Sequence, residues 1–316
     1  MSKETTAMSN QMKLSLHTIP VELVYRILDH LDELTILLAC RNVCIRLNAI
    51  TNTYYRYQVF NTVYLGGNQI DAQRVKHLAN ALLQNTTLTT LYLQYNQINL
   101  QGAEYLSNAL LHNKTLATLH LQYNQIGPQG ISHLGNALLQ NTALTTLNLS
   151  SNQIADEGAE HLSNALLQNK TLTTLDLRVN QITSRGTQYL ANGLLQNKTL
   201  LTLHLSWNNI GDQGAEYLSH ALLDYKTLLT LGLEGIQLGD QGAEHLANTL
   251  LRNKTLTTLR LRENQISNRG AEHLGNALLD NKTFTTLHLN YNQIDDEGKL
   301  YLKDILKMNS KIKVSL

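Results

Sequence analysis

From Phe60 onward, apolar and polar positions follow a fixed pattern. The string Thr-Leu-x-x-Leu-x-Leu-x-x-Asn-x-Ile returns along most of the chain. Its first apolar position falls at Phe60, Leu88, Leu116, Leu144, Leu172, Leu200, Leu228, Leu256 and Phe284, a step of 28 residues each time. Two further Leu columns are equally regular, from Leu91 and Leu93 to Leu287 and Leu289. An Asn column runs Asn68, Asn96, Asn124, Asn152, Asn180 and Asn208, is interrupted by Ile236, and resumes at Asn264 and Asn292. A strict period in this range predicts stacked coils, each too small to bury its own apolar face and each completed by its neighbours.

The elements of one coil follow from the spacing. Leu91-x-Leu93 alternates with period 2, which predicts a strand with one buried face. Asn96 stands where the chain must turn, and its amide can satisfy backbone groups that no sheet reaches. Gly102-Ala103-x-x-Leu106-x-x-x-Leu110-Leu111 then places apolar residues on one helical stripe. Glycine recurs in that column eight times, from Gly102 to Gly298, which predicts a close approach at the helix start. Asn113 closes the helix, where a left-handed backbone is tolerated. Strands pair at about 4.8 Å while helices pack at about 8–10 Å, so the stack must bend, by at most about 25–30° per coil. Strands then line the inner wall and helices the outer one. The terminal Lys311-Ile312-Lys313-Val314-Ser315-Leu316 alternates apolar residues with Lys or Ser and predicts a last edge strand.

These units resemble the 28-residue leucine-rich repeats of the ribonuclease-inhibitor type, also found in NOD-like receptors. The resemblance implies an α/β fold: a curved solenoid, or horseshoe, with a parallel inner sheet and outer helices. Nine repeats would occupy residues 57–316, preceded by a helical unit at 14–56 and a disordered tail at 1–13.

The N-terminal unit does not share the period. Pro20 suits the first turn of a helix, with Glu22 complementing its dipole. Leu23, Ile27, Leu28 and Leu31 form an amphipathic stripe, and Leu34, Ile36, Leu37, Leu38, Cys40, Cys44, Leu47 and Ile50 form a second helical pattern. The pairs Ile19-Pro20, Glu22-Leu23, Ile27-Leu28, then Leu31 and Val43-Cys44, resemble an F-box. Leu47 stands where that family often has Trp. The resemblance implies that Ile19, Pro20, Leu23, Ile27 and Leu31 contact a Skp-type adaptor of a cullin ubiquitin ligase. The alternative is that the stripe only caps the first coil.

Within the nine coils, the Leu, Asn and Gly columns are nearly constant, convex positions such as Glu104-Tyr105, Ser132-His133 and Glu160-His161 vary less, and one wall varies most. The column between the two strand leucines reads Tyr64, Tyr92, His120, Asn148, Asp176, His204, Gly232, Arg260 and His288. Two residues on come Gly66, Gln94, Gln122, Ser150, Arg178, Ser206, Glu234, Arg262 and Asn290, and the next column holds Tyr95, Tyr123, Trp207 and Tyr291. Strand alternation turns the first two columns to the concave side and the third to its rim. A uniform interior with one diversified wall suits protein binding, and Tyr, Trp and Arg are frequent interface anchors. The candidate target contacts are therefore Tyr64, Tyr92, Tyr95, His120, Tyr123, Asp176, Arg178, His204, Trp207, Glu234, Arg260, Arg262, His288 and Tyr291.

Composition narrows the reading. There are 65 Leu in 316 residues, the mark of repetition, and 42% of residues are hydrophobic, which excludes a disordered class. A net charge of +1 argues against a dedicated nucleic-acid binder. Two Cys exclude a disulfide scaffold and fit a reducing compartment. No apolar run has the length of a membrane span and the N-terminus lacks a signal-peptide pattern, so a cytoplasmic, or also nuclear, location is expected. The Asn-x-Thr sequons at Asn85, Asn113, Asn169, Asn197, Asn253 and Asn281 read as products of repetition. His77, His133, His161, His245 and His273 share one helix column, but adjacent coils hold helices about 8–10 Å apart, too far to share a metal. Cys40 and Cys44 lack a partnering pair at zinc spacing. No phosphate loop or nucleophile elbow is present. Asp295-Asp296-Glu297 reads as dipole compensation at a helix start. No enzyme and no cofactor is expected.

The leading functional expectation is the substrate-recognition subunit of an SCF-type ubiquitin ligase. It would be a monomer within a hetero-complex, holding its protein target on the concave face. The alternative is a free-standing scaffold or regulator, similar to NOD-like receptors or GTPase regulators. Repeat seven, with Glu234-Gly235 before Ile236, either shapes the binding arc or is a decayed repeat.

Overall fold

A computed structural model describes residues 61–316. The tail at 1–13, the F-box-like unit at 14–56 with Ile19, Pro20, Leu23, Ile27 and Leu31, and Cys40 and Cys44 lie outside the described residues.

Strands and helices alternate throughout. The strands are β1 (Thr62–Tyr64), β2 (Thr90–Tyr92), β3 (Thr118–His120), β4 (Thr146–Asn148), β5 (Thr174–Asp176), β6 (Thr202–His204), β7 (Thr230–Gly232), β8 (Thr258–Arg260), β9 (Thr286–His288) and β10 (Lys313–Ser315). The helices are α1 (Ala72–Gln84), α2 (Leu100–His112), α3 (Gly127–Leu138), α4 (Ala155–Gln168), α5 (Ser184–Gln196), α6 (Gly211–Asp224), α7 (Asp240–Arg252), α8 (Asn268–Leu279) and α9 (Asp296–Met308). The ten strands form one parallel sheet in chain order, and each helix packs on the helices before and after it. The register is the repeat itself: Leu91 pairs with Leu119, Leu119 with Leu147, and so on to Leu259 with Leu287. The terminal segment is an edge strand, as its alternation predicts, with Val314 opposite Leu287.

The core lies between sheet and helices. Leu91, Leu93, Ile98, Ala103 and Leu106 are fully buried, and their counterparts repeat coil by coil. The helical stripe is narrower than the sequence suggests. Leu110 is buried, but Leu111 is half-buried, and its equivalents Leu83, Leu195 and Leu251 are exposed. The glycine column sits where predicted. A Cβ on Gly130 would lie 2.7 Å from the Ile126 side chain and 3.4 Å from the Leu100 backbone of the preceding coil, so the helix start admits no side chain there.

Asparagines tie the coils together. The Asn96 Nδ2 donates to Leu65 O (2.9 Å) in the previous coil and Leu93 O (3.0 Å) in its own. Its Oδ1 accepts from the Asn68 and Ile70 backbone N–H groups. A second asparagine ladder runs along the helix ends. Asn113 donates to Leu82 O (2.8 Å) and accepts from the Thr115 and Leu116 N–H groups. Its backbone is extended, with φ −71° and ψ 128°, so it caps through its amide and not through a left-handed turn, correcting the expectation for this position. Asn113, Asn169, Asn197, Asn253 and Asn281 are buried with their amides engaged, so these sequons are structural.

Coil seven departs from both ladders without losing register. Tyr225 replaces the capping asparagine, is buried, and donates its hydroxyl hydrogen toward Leu200 O (2.7 Å) or Asn197 Oδ1 (3.1 Å). Ile236 is fully buried, and Leu231 still pairs with Leu203 and Leu259. The coil is repacked and not loosened: apolar burial replaces the missing amide.

Candidate functional site

The side chains of the two variable columns stand on the face of the sheet opposite the helices. Parallel strands repeat at about 4.8 Å, so equal residues in neighbouring coils meet face to face. Tyr64 stacks on Tyr92 with ring centroids 4.6 Å apart, and Tyr92 on His120 at 4.4 Å. On the rim, Tyr95 stacks on Tyr123 at 4.4 Å. Between the two aromatic rows lie Gln94 and Gln122. The Oε1 atoms of both, with His120 Nδ1 and Ser151 Oγ, are buried without a hydrogen-bond partner.

The central coils are charged. The Arg178 Nε donates to Asp176 Oδ1 (2.9 Å) and its Nη2 to Oδ2 (2.6 Å). Asp176 is only 5% exposed, so it acts as a brace for the exposed Arg178 and offers little surface to a partner. Hydrogen bonding to Asp176 raises the Arg178 pKa above its ordinary value. His204 lies half-buried next door. Burial lowers its pKa below that of a free imidazole; Asp176 and Glu234 oppose the shift, while Arg178 and Arg260 reinforce it. Burial likewise lowers His120, with Asp176 opposing. Glu234 shares a hydrogen bond with Ser206 Oγ and lies 4.0 Å from Arg260. Further along, Arg262 pairs with Glu263 (2.7 Å) and covers the ring of Tyr291 at 4.6 Å. His288 is half-buried at the end of β9. The predicted residues thus form three zones: aromatic at Tyr64 to Tyr123, charged from Asp176 to Arg260, and a cation–aromatic pair at Arg262 and Tyr291.

The rim column has a backbone property that the sequence does not announce. Tyr95, Tyr123, Ser151, Val179, Trp207, Glu263 and Tyr291 all have φ between 54° and 59°, and Gly67 and Gly235 occupy the same left-handed position. Glycine suits such a site. A valine or tryptophan there is strained, and strained side chains of this kind concentrate at functional surfaces. Exposure agrees: Tyr95 (59%), Trp207 (48%) and Tyr291 (72%) all face solvent.

A cavity of about 480 Å³ opens in this rim, lined by Tyr95, Gln122, Tyr123, Asn148, Ser150, Ser151, Arg178, Val179 and Trp207. Of these, Gln122, Asn148, Ser150, Ser151 and Val179 were not among the sequence-derived contacts. Column position was the available clue, since each belongs to a variable column, but small or neutral residues do not advertise binding. Trp207 rests on coil seven: a Cβ on Gly235 would lie 2.5 Å from its ring. Gly235 thus leaves room for the Trp207 ring where it lies. The five column histidines do not gather, and among the described residues no group of three or more His, Cys, Asp or Glu is placed to hold a metal. Among the described residues no helix is long and apolar enough to cross a membrane.

A family model described as Leucine Rich repeat matches residues 84–107, 112–135, 140–163, 168–191, 196–219, 252–275 and 280–302, which together make up just over half of the chain. The gap between the fifth and sixth matches, residues 220–251, holds Tyr225 and Ile236, the positions where both asparagine ladders change chemistry. Among solved structures, leiomodin-1 actin-binding site 2 is similar, with 24% sequence identity and a TM-score of 0.39 over 43% of this chain and 79% of that chain. No curated protein matches the chain.

Proposed function

The chain belongs to the leucine-rich repeat family, and from that premise we propose that it acts by binding a protein partner on the concave face of its sheet. The observation that carries this reading is the strained rim. Bulky aromatic side chains occupy a column whose backbone favours glycine, and they face solvent. Stacking and cation–aromatic contacts engage part of these rings, and the faces left open to solvent are what a partner surface would use. In this reading the chain makes and breaks no bond and needs no cofactor.

The finer proposal is that it serves as the substrate-recognition subunit of an SCF-type cullin ubiquitin ligase, in the cytoplasm. The Ile19-Pro20 to Val43-Cys44 spacing supports it. Ile19, Pro20, Leu23, Ile27 and Leu31 would hold the Skp-type adaptor, while the repeats raise the effective concentration of the target near the transferred ubiquitin. Copurification of the full chain with a Skp adaptor tests this. The unmodified chain is expected to retain the adaptor, and Leu23→Asp combined with Ile27→Asp to lose it. Absence of adaptor from the unmodified chain would leave a free-standing scaffold.

A further inference from the structure

The rim row of side chains is broken in one place. Tyr95 and Tyr123 stack at 4.4 Å, and Trp207 stands in the same column, but the two coils between Tyr123 and Trp207 carry Ser151 and Val179. Three strand steps of about 4.8 Å separate Tyr123 from Trp207 along the sheet, roughly 14 Å. That span leaves room for two planar side chains at the stacking distance the row already uses.

We propose that this notch is a socket for aromatic side chains of a protein partner, which enter as the missing members of the Tyr95–Tyr123 row. The inference rests on the concave-face reading above. Four observations carry it. Tyr95 covers one face of Tyr123, and the other face looks into the cavity over the small Ser151. Trp207 is backed on its far side by Gly235, which leaves its near side toward Val179. Gln122 and Ser151 line the cavity, and Gln122 Oε1 and Ser151 Oγ are buried with no hydrogen-bond partner; a tyrosine hydroxyl or indole N–H supplies a donor once these side chains turn toward the cavity. Among the described residues no carboxylate lines the cavity, so a cationic planar group such as arginine finds no counter-charge there and a neutral ring is favoured.

Trp207 is the only tryptophan, so its emission reports on this site alone. A random peptide-display library is selected on the full chain. Recovered tryptophan-free peptides are then titrated while Trp207 is excited beyond tyrosine absorption. Enrichment of aromatic residues is expected, with a shift in Trp207 emission. Affinity should fall at least tenfold in Ser151→Tyr, which fills the notch with a ring, and stay within twofold in Ser151→Ala. Peptides without aromatics, or equal binding to Ser151→Tyr, overturn the socket. If such peptides still lose affinity in Arg260→Glu with Arg262→Glu, the concave-face reading survives alone; if they ignore both variants, it falls too. Should no peptide be recovered, N-acetyl-tyrosinamide is titrated instead, and failure to move Trp207 emission at the solubility limit overturns the socket.

Discussion

At the scale of single residues, the rim separates stability from function. Val179 is β-branched, 47% exposed, and held at φ 56°. A left-handed backbone costs an ordinary L-residue roughly 1–2 kcal/mol, and asparagine tolerates it better. Val179→Asn is therefore expected to raise the unfolding free energy by about 0.5–1 kcal/mol in urea titration while weakening peptide binding. A loss of stability would show that Val179 serves packing after all. Asp240 illustrates the opposite case, a polar residue whose role is structural. Its carboxylate, in the first turn of α7, accepts from the backbone N–H groups of Ser267 (2.8 Å) and Gly270 (3.0 Å) in the next coil, and from Ser267 Oγ. Burial pushes its pKa up, but these hydrogen bonds outweigh it and the net shift is downward. A folded-state pKa below the unfolded value of about 3.9 means stability that is present above pH 4 and lost as pH falls through the folded value. Asp240→Asn is expected to cost about 0.5–2 kcal/mol at neutral pH, as for loss of a helix cap, and much less near pH 2. Thermal melts of both proteins at the two pH values test the sign.

At the scale of elements, the asparagine ladder does what side-by-side strands cannot: it satisfies the backbone beyond the three-residue strands. Asn180 is fully buried, donates to Leu149 O (2.9 Å) and accepts from Asn152 N (2.8 Å). Asn180→Ala leaves buried backbone groups unpaired and is expected to cost about 2–3 kcal/mol in urea unfolding. Asn152→Ala should cost less, because its Oδ1 has no partner to lose. The turns that precede these ladder positions also differ in type. Ile126, Ile154 and Ile210 enter their helices in a right-handed conformation, followed by a left-handed Gly127, Ala155 or Gly211. Those residues donate to the backbone oxygens of Asn152, Asn180 and Ile236 instead. The turn type alone does not remove the acceptor's role, since Asn180 Oδ1 still accepts from Asn152 N across the Ala155 turn. The Leu, Asn and Gly columns made coil, register and core legible from the sequence, because each answers to one repeated physical demand. The choice between the two turn types was not legible. Glycine hints at it in two coils, but Ala155 adopts the same conformation without any such mark.

At the scale of the repeat domain, the site was legible in outline: period and alternation place every candidate on the inner wall or its rim. What escaped was the relation between coils. Ring stacking, the bracing of Arg178 by Asp176 and the notch between Tyr123 and Trp207 exist only once neighbouring columns stand in register, and no single coil encodes them. The same dependence governs stability. In a solenoid each coil is held by its two neighbours, so a terminal coil has half the support of a central one. Hydrogen exchange is therefore expected to be slowest in β4, β5 and β6 with their helices, and to quicken toward α9 and β10. The notch lies in those central coils, and a rigid socket loses less freedom when it closes on a ring. Asn180→Ala should quicken exchange in the coils of β4, β5 and β6 and leave that of β9 unchanged, because support passes only between adjacent coils. Uniform quickening along the whole sheet would instead show that the repeats open as one cooperative block, and the notch would then owe its rigidity to the entire stack and not to its immediate neighbours.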